Sequence, residues 1–186
     1  MSYIVIGLTG KNAAGKGTVA EILSQNKFIY HSLSDSLRDE LKTLGKEETR
    51  ENLIEIGNKL RKDGGPGVLA DKMIHKLTLD SNHIVDSIRN PFEVNSLREK
   101  SSSNKFILIS VDADARLRYD RLCSRGRIGD SDSWESFVNQ EKQEENNDDP
   151  NKQQLSKTMR MADYAVDNSG SLDDLEKQIQ KILSKL

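Results

Sequence analysis

A glycine-rich run near the N-terminus carries the clearest chemistry in the sequence. It reads Gly-Lys-Asn-Ala-Ala-Gly-Lys-Gly-Thr and follows an apolar stretch at 3–8. Glycines permit a tight turn with inward N–H groups, and a helix start adds donors and a positive dipole end. The loop lysine adds a mobile charge that follows the β- and γ-phosphates of a nucleotide. The pattern predicts phosphate contacts from Gly10, Asn12, Ala13, Ala14, Gly15, Lys16, Gly17 and Thr18. A glycine-rich turn that binds nothing is the alternative.

The residue after the lysine separates two kinds of phosphate-binding loop. Many such loops place Ser or Thr directly after the lysine, where the hydroxyl ligates magnesium. Here Gly17 stands at that position and Thr18 follows it. The ending Gly-Lys-Gly-Thr resembles adenylate kinase and related nucleoside monophosphate kinases, whose magnesium is held largely through water. Thr18 is then a candidate metal ligand.

The composition bounds the class of protein. A chain of 186 residues fits one domain, 1–186, and its net charge of −2 gives no case for a general nucleic-acid surface. The single Cys123 excludes an internal disulfide and fits a reducing compartment. No apolar run approaches the ~20 residues of a membrane span, and the N-terminus lacks signal-peptide features. We expect a cytoplasmic protein, monomer or homodimer, with no nucleic-acid or membrane partner.

Apolar runs and helical patterns alternate along the chain. Alternation of this kind predicts right-handed crossovers and a parallel sheet with helices on both faces. Ligands of such sheets bind at the carboxyl ends of the strands. We expect strands near 3–9, 28–32, 83–86, 105–111 and 162–166. The helix-rich stretch 36–80 is too long for a simple crossover and is interpreted as a small subdomain over the site, with Ser34 or Asp35 capping its first helix.

Further segments are similar to parts of nucleoside monophosphate kinases. Residues 32–38 resemble the segment of adenylate kinases that ends in an acceptor-binding arginine. Asp-Ser-Ile-Arg at 86–89 resembles their Asp-Gly-aromatic-Pro-Arg segment, and 119–125 resembles the start of their lid. Asn-Ser-Gly at 168–170 stands where their adenine loop lies. The resemblance implies a P-loop NTPase with sheet order 2-3-1-4-5, a helical acceptor-binding insertion at 36–80, and a lid with a following helix at 121–150.

The whole chain also resembles small archaeal and bacterial P-loop proteins described as adenylate-kinase-like or dephospho-CoA-kinase-like. It is similar, too, to phage deoxynucleotide monophosphate kinases and to the kinase-like part of some deoxycytidylate deaminases. The segments that carry this resemblance span nearly the full length: 49–53, 57–61, 88–94, 125–127 and 162–164.

These resemblances imply roles for individual residues. Asp86 orders magnesium through water, and the catalytic set is Lys16, Asp86, Arg89 and Arg125. The ATP donor is further bound by Arg121, Arg127, Asn168 and Gly170. The acceptor site is formed by Ser34, Asp35, Arg38, Arg61, Arg89 and Glu93. Glu93 lies four residues after Arg89, and a carboxylate there would accept from an exocyclic amino group, which would favour cytosine or adenine.

Each of these residues also has a purely structural interpretation. The arginines between Arg116 and Arg127 could form a solvated helix face paired with nearby aspartates. Asp86 could be a plain helix cap, and Arg61 could pair with a surface carboxylate. The three histidines have no ligand spacing, so a histidine metal site is not expected.

The expected activity is ATP- and magnesium-dependent transfer of the γ-phosphate to a small phosphorylated acceptor. A (deoxy)nucleoside monophosphate is the preferred acceptor. Dephospho-CoA is the alternative, with Asp35 as the base that a ribose hydroxyl would need. A further alternative is a nucleotide-binding regulator or slow ATPase that partners a deaminase or a nucleic-acid enzyme.

Overall fold

Strands and helices alternate through the chain. The computed structural model describes residues 3–78, 80–101, 105–126, 133–145 and 147–186, with the backbone alone at 143–145. Its strands are β1 (Ile4–Gly10), β2 (Phe28–Ser32), β3 (Asn82–Asp86), β4 (Lys105–Asp112) and β5 (Tyr164–Asp167). Its helices are α1 (Lys16–Gln25), α2 (Leu33–Thr43), α3 (Arg50–Gly64), α4 (Val68–Ile74), α5 (Pro91–Lys100), α6 (Ala115–Arg125), α7 (Trp134–Glu145), α8 (Leu155–Arg160) and α9 (Leu172–Leu183).

The strands form one parallel sheet in the order β2-β3-β1-β4-β5. β1 lies in the middle and is buried along nearly its whole length, as its continuous apolar sequence predicts. Its residues pair with β3 on one side and β4 on the other, with Gly7 opposite both Val85 and Leu108. The predicted α/β class and strand order are therefore confirmed.

Two apolar layers cover the two faces of the sheet. On one face α1 and α9 pack on the strands through residues such as Leu23 and Ile179, both fully buried. On the other face α2 to α5 bury Leu33, Leu69 and Leu97 among others. The predicted helical stretch after β2 is present as α2, α3 and α4, and its helices contact one another as well as the sheet.

The helix starts explain one difference from the sequence prediction. Ser32, the last residue of β2, caps α2 by accepting from the N–H of Ser34, so neither Ser34 nor Asp35 is the cap. The short helix α8 was not predicted from the sequence. Its N-cap residue Gln154 makes no side-chain capping hydrogen bond. The longest helix described, α3, has 15 residues. In the described part of the chain no helix is both long enough and apolar enough to cross a membrane.

Candidate active site

The carboxyl ends of β1 and β3 bring two predicted segments side by side. The N–H of Ile88 donates to the carbonyl of Leu8 at 3.2 Å, and Thr9 Oγ1 donates to the carbonyl of Ile88 at 2.8 Å. These bonds extend the β1–β3 pairing past the end of β3. As a result, the segment from Asp86 to Arg89 runs directly beside the residues that lead into the glycine-rich loop.

The glycine-rich loop has the backbone of an anion cradle. Gly15 caps α1 in the left-handed region with φ 97°, and Ala13 is also left-handed with φ 57°. Because glycine has no side chain, Gly15 offers no side-chain acceptor to the first N–H groups of α1, which is typical of an anion-binding helix start. Lys16 Nζ folds back over the loop and donates to the carbonyls of Gly10 and Lys11 at 2.9 and 3.0 Å. The loop therefore offers amide donors and an ammonium to one phosphate-sized anion.

The loop after β5, for which a base-binding role is predicted, packs against this cradle. Asn168 Nδ2 donates to the carbonyl of Ala14 at 2.9 Å, and Arg121 Nη2 donates to the carbonyl of Asn168 at 2.9 Å. Arg121 Nη1 is buried and lacks a hydrogen-bond partner among the described residues. It lies 3.9 Å from the position a Cβ on Gly15 would take. Arg121 is thus aimed at the loop rather than into solvent.

Two more arginines of α6 hold Asn12 of the loop. Arg125 Nη2 donates to Asn12 Oδ1 at 3.0 Å, which places Arg125 against the glycine-rich loop. Arg118 is 1% exposed; its Nε donates to the carbonyl of Ala113 at 2.8 Å and its Nη1 to the carbonyl of Asn12 at 3.5 Å. Arg118 also forms a bidentate ion pair with Glu141 of α7. The sequence interpretation weighed Arg118 only as a solvated residue, but it is a buried tie between α6, α7 and the loop.

Asp86 is held at the end of β3 by polar neighbours. It is 7% exposed, accepts from Tyr30 Oη at 3.1 Å through Oδ2, and accepts from the N–H of Ser87 at 2.5 Å through Oδ1. Ser87 takes a left-handed backbone with φ 68°, which turns its N–H back to the carboxylate. Burial, followed by the nearby Asp86 charge, raises the pKa of Tyr30 to about 12. Tyr30 therefore remains a donor to Asp86 at all ordinary pH values.

The donor set suits a nucleotide with magnesium better than a metal bound by protein alone. Among the described residues, no group of three or more His, Cys, Asp or Glu could hold a metal ion. The loop N–H groups and Lys16 are donors that suit phosphate oxygens, which are in turn ligands that magnesium prefers. The metal roles of Thr18 and Asp86 stay predictions.

A cleft of about 510 Å³, open solvent included, lies between α2, α3 and α4 and the 86–89 segment. Three guanidinium groups and no carboxylate line it among the described residues. Its lining residues are Leu33, Ser34, Leu37, Arg50, Leu53, Ile54, Arg61, Leu69, Ser87, Arg89 and Gln153. Of the predicted acceptor residues, the structure brings Ser34, Arg61 and Arg89 into this cleft.

Arg61 and Glu93 form a buried ion pair behind the cleft. Arg61 donates from Nε and Nη2 to Glu93 Oε1 at 3.0 and 2.8 Å, and the two side chains are 3% and 0% exposed. Glu93 Oε2 accepts from the N–H groups of Arg89 and Asn90 at 2.9 and 3.1 Å. Glu93 is not among the residues that line the cleft, contrary to its interpretation as a base-binding residue. Its carboxylate instead stabilises the backbone at Arg89 and Asn90.

Other predicted residues stand apart from the cleft. Arg38 donates to Asp35 Oδ1 at 2.9 Å and to Glu48 Oε1 at 2.6 Å, and neither Arg38 nor Asp35 is among the lining residues. The acceptor roles of Arg38 and Asp35 therefore stay predictions that this conformation does not support. Gly170 lies beside the carboxylate of Asp174 at the start of α9, and its nucleotide contact is untested. Arg127 lies outside the described residues.

Two cleft residues were missed from the sequence. Arg50 opens α3 directly after its cap Thr49 and lines the cleft, which Arg38 does not. Gln153 enters from the segment between α7 and α8, where nothing in the polar run marks one amide above its neighbours. The role of Glu93 could have been predicted, because Asn-Pro-Phe-Glu is a capping-box pattern in which the glutamate accepts from the backbone N–H of the cap residue.

Comparison with known proteins agrees with this geometry. The profile of the AAA_18 family, described as an AAA domain, matches residues 6–149. The chain belongs to the AAA_18 domain family. A UPF0200 protein of Hyperthermus butylicus is 30% identical to this AAA_18 domain protein over 185 residues, covering 98% of this chain and 95% of the relative. A UPF0200 protein of Pyrococcus furiosus is 28% identical over 187 residues, with 98% and 97% covered.

Solved structures show that the AAA_18 domain protein has the P-loop kinase fold. TT1252 from Thermus thermophilus matches with a TM-score of 0.64 and 22% identity, covering 100% of this chain and 99% of that one. A shikimate kinase from Aquifex aeolicus matches with a TM-score of 0.57 and 15% identity, covering 97% and 96%. A gluconokinase from Sinorhizobium meliloti matches with a TM-score of 0.58 and 14% identity, covering 99% and 92%. At these identities the likeness shows the fold alone.

Proposed function

We propose that the protein is an ATP-dependent kinase that transfers the γ-phosphate to a small phosphorylated acceptor, a (deoxy)nucleoside monophosphate. The observation that carries this proposal is the arginine-lined cleft beside the glycine-rich loop. Arg50 and Arg89 place two guanidinium groups in its lining, while Arg61, which also lines it, is paired with Glu93, so the cleft suits an anionic acceptor. Its aliphatic side chains leave room for an uncharged body attached to that anion.

The donor and acceptor groups would meet between the loop and the 86–89 segment. The loop amides and Lys16 would hold the donor phosphates, while Arg125 and Arg121, both in contact with the loop side, would neutralise developing charge. Arg89 would hold the acceptor anion facing them. Magnesium, when bound with ATP, supplies further neutralisation of the phosphate oxygens. Phosphoryl transfer depends mainly on such positioning and charge.

The described geometry favours this acceptor over dephospho-CoA. A hydroxyl acceptor needs a nearby carboxylate base, and Asp35 was the candidate for that role. Asp35 pairs with Arg38 at 2.9 Å and is not among the residues that line the cleft. A monophosphate acceptor needs no such base, because its attacking oxygen already carries charge.

The proposal is tested by initial rates with ATP, magnesium and a panel of single acceptors. The panel contains each ribo- and deoxyribonucleoside monophosphate, dephospho-CoA, shikimate and gluconate, with Lys16→Ala as the inactive control. We expect formation of ADP and a nucleoside diphosphate from at least one monophosphate. ATP hydrolysis that no acceptor accelerates would indicate the regulator or slow ATPase, and transfer only to a hydroxyl acceptor would also refute the proposal.

A further inference from the structure

Gln153 lines the cleft and belongs to the segment 150–154, which is hydrogen-bonded to Arg89 and Asn90. Asn90 is fully buried, and its Nδ2 donates to the carbonyls of Pro150 and Lys152 at 2.7 and 2.9 Å. The N–H of Gln154 donates to the carbonyl of Arg89 at 2.9 Å. Bonds on both sides of Gln153 thus fix its backbone relative to Arg89.

The contact with Arg89 also fixes which end of the Gln153 amide faces Arg89. Arg89 Nη1 lies 3.3 Å from Gln153 Oε1. A guanidinium has only donors, so the carbonyl end of the amide must face it. The Nε2 group, at the opposite end of the amide, then carries the donors of Gln153, which is half-buried and lines the cleft. Arg89 and Gln153 together present adjacent N–H groups.

We propose that Gln153 is a substrate-binding residue that donates to the same anionic group of the acceptor as Arg89. Two adjacent donor groups match the oxygens of a phosphate monoester. This inference rests on the proposed function, because it assigns a residue to the acceptor side of that reaction. It adds a contact for which the sequence pattern gives no sign.

A direct contact differs from mere positioning of Arg89, and two substitutions separate these roles. Gln153→Ala removes both the donors and the contact with Arg89. Gln153→Glu keeps an oxygen that accepts from Arg89 but replaces the N–H donors by negative charge. If Gln153 only positioned Arg89, the effect of Gln153→Ala on the acceptor KM would vanish in an Arg89→Ala background, because no guanidinium would be left to position. If Gln153 contacts the anion, Gln153→Ala must raise the acceptor KM in that background too, and Gln153→Glu must raise it at least as much as Gln153→Ala.

The experiment measures KM for the best monophosphate acceptor and for ATP in both variants, alone and in the Arg89→Ala background. Lys152→Ala is the matched control, since Lys152 is the exposed neighbour on the same segment and does not line the cleft. We expect the acceptor KM to rise roughly tenfold in Gln153→Ala and more in Gln153→Glu, as loss of a hydrogen bond to a charged group implies. KM for ATP should stay within about twofold in all three. An unchanged acceptor KM in Gln153→Ala, or recovery in Gln153→Glu, would overturn the inference.

A binding measurement separates failure of this inference from failure of the proposed function. With the donor site filled by a non-hydrolysable ATP analogue, thermal stabilisation by inorganic phosphate is compared in wild type and variants. Weaker stabilisation in both Gln153 variants, but not in Lys152→Ala, supports the anion contact even if no monophosphate is phosphorylated. Equal stabilisation in all proteins would overturn it even if transfer occurs.

Discussion

Arg61 and Glu93 pair inside the protein, joining α3 to the turn that carries Arg89. Their closest contact is 2.8 Å, with side-chain exposures of 3% and 0%. The pair connects α3 to the turn proposed to bind phosphate, because Glu93 also accepts from the backbone N–H groups of Arg89 and Asn90. A residue predicted to read a base is therefore a support for the site.

Removal of one partner of this pair should be strongly destabilising. Arg61→Met leaves Glu93 buried with an uncompensated charge, which typically costs about 3–5 kcal/mol. The measurement is the free energy of unfolding from urea denaturation. Lys100→Met is the control, since Lys100 pairs with Asp71 at 2.7 Å with exposures of 45% and 42%. Its loss should cost below about 1 kcal/mol. Equal losses in the two variants would contradict the structural role of the pair.

The same substitution at two loop glycines should have opposite results. A Cβ on Gly15 would lie 2.0 Å from Asn168 Nδ2, and φ is 97° there. A Cβ on Gly17 meets nothing within 4 Å. Gly15→Ala should therefore abolish tight ATP binding, whereas Gly17→Ala should keep it and stabilise α1 by roughly 0.5–1 kcal/mol. Calorimetric titration with ATP and urea denaturation measure both effects, and similar ATP affinities in the two variants would refute this loop geometry.

Arg118 should matter for stability where its neighbour Arg116 does not. Arg118 is 1% exposed and pairs with Glu141, whereas Arg116 is 68% exposed. Arg118→Met removes charge-assisted bonds across α6, α7 and Asn12 and should cost about 2–3 kcal/mol. Arg116→Met should stay within about 0.5 kcal/mol of wild type. Urea denaturation measures the free energy of unfolding of both variants. An unchanged value in Arg118→Met would mean that Arg118 does not link α6 to α7.

His31 should make stability depend on pH. Its Nε2 lies 3.0 Å from His83 Nδ1, while His83 Nε2 donates to the carbonyl of Thr78 at 2.9 Å. Burial, and then repulsion from His83 and Lys76, lowers the pKa of His31 in the folded state, and Asp35 opposes this only in part. Folding therefore favours the neutral ring, so its stabilisation is present above the unfolded pKa near 6.5 and is lost as pH falls through the folded pKa.

His31→Gln tests this pH dependence because glutamine keeps a donor for His83 but does not titrate near neutrality. The measurement is the free energy of unfolding at about pH 7.5 and about pH 5.5. Wild type should lose more stability on acidification than His31→Gln. Parallel losses in the two proteins would show that His31 is not the titrating group.

The parallel sheet could be predicted because local signals agree with the fold: apolar strands, glycine-rich turns and amphipathic helices each indicated the same architecture. The strand order came from the resemblance to nucleoside monophosphate kinases, and the loop motif predicted a donor site. The acceptor site was harder, because arginines look alike in a sequence. Arg38 sits at a motif position yet pairs with Asp35 and Glu48, while Arg50 reaches the cleft.

Tertiary packing decided the remaining roles. Gly57 leaves space for the Arg61 side chain, since a Cβ on Gly57 would lie 3.2 Å from Arg61 Nη1. Only the fold shows that Glu93 is the partner of Arg61. Gln153 is positioned by a bond network that begins at Asn90, some 60 residues earlier in the chain. No local pattern encodes contacts across such separations.

The central claim is that loop and arginine donors converge on two facing phosphate groups. Its most direct test is kcat/KM for γ-phosphate transfer to the best monophosphate acceptor in Arg89→Ala, compared with the exposed control Arg160→Ala. We predict that Arg89→Ala reduces kcat/KM for the acceptor by at least about a hundredfold, with KM for ATP nearly unchanged, and that Arg160→Ala stays close to wild type. Full activity in Arg89→Ala would contradict the account.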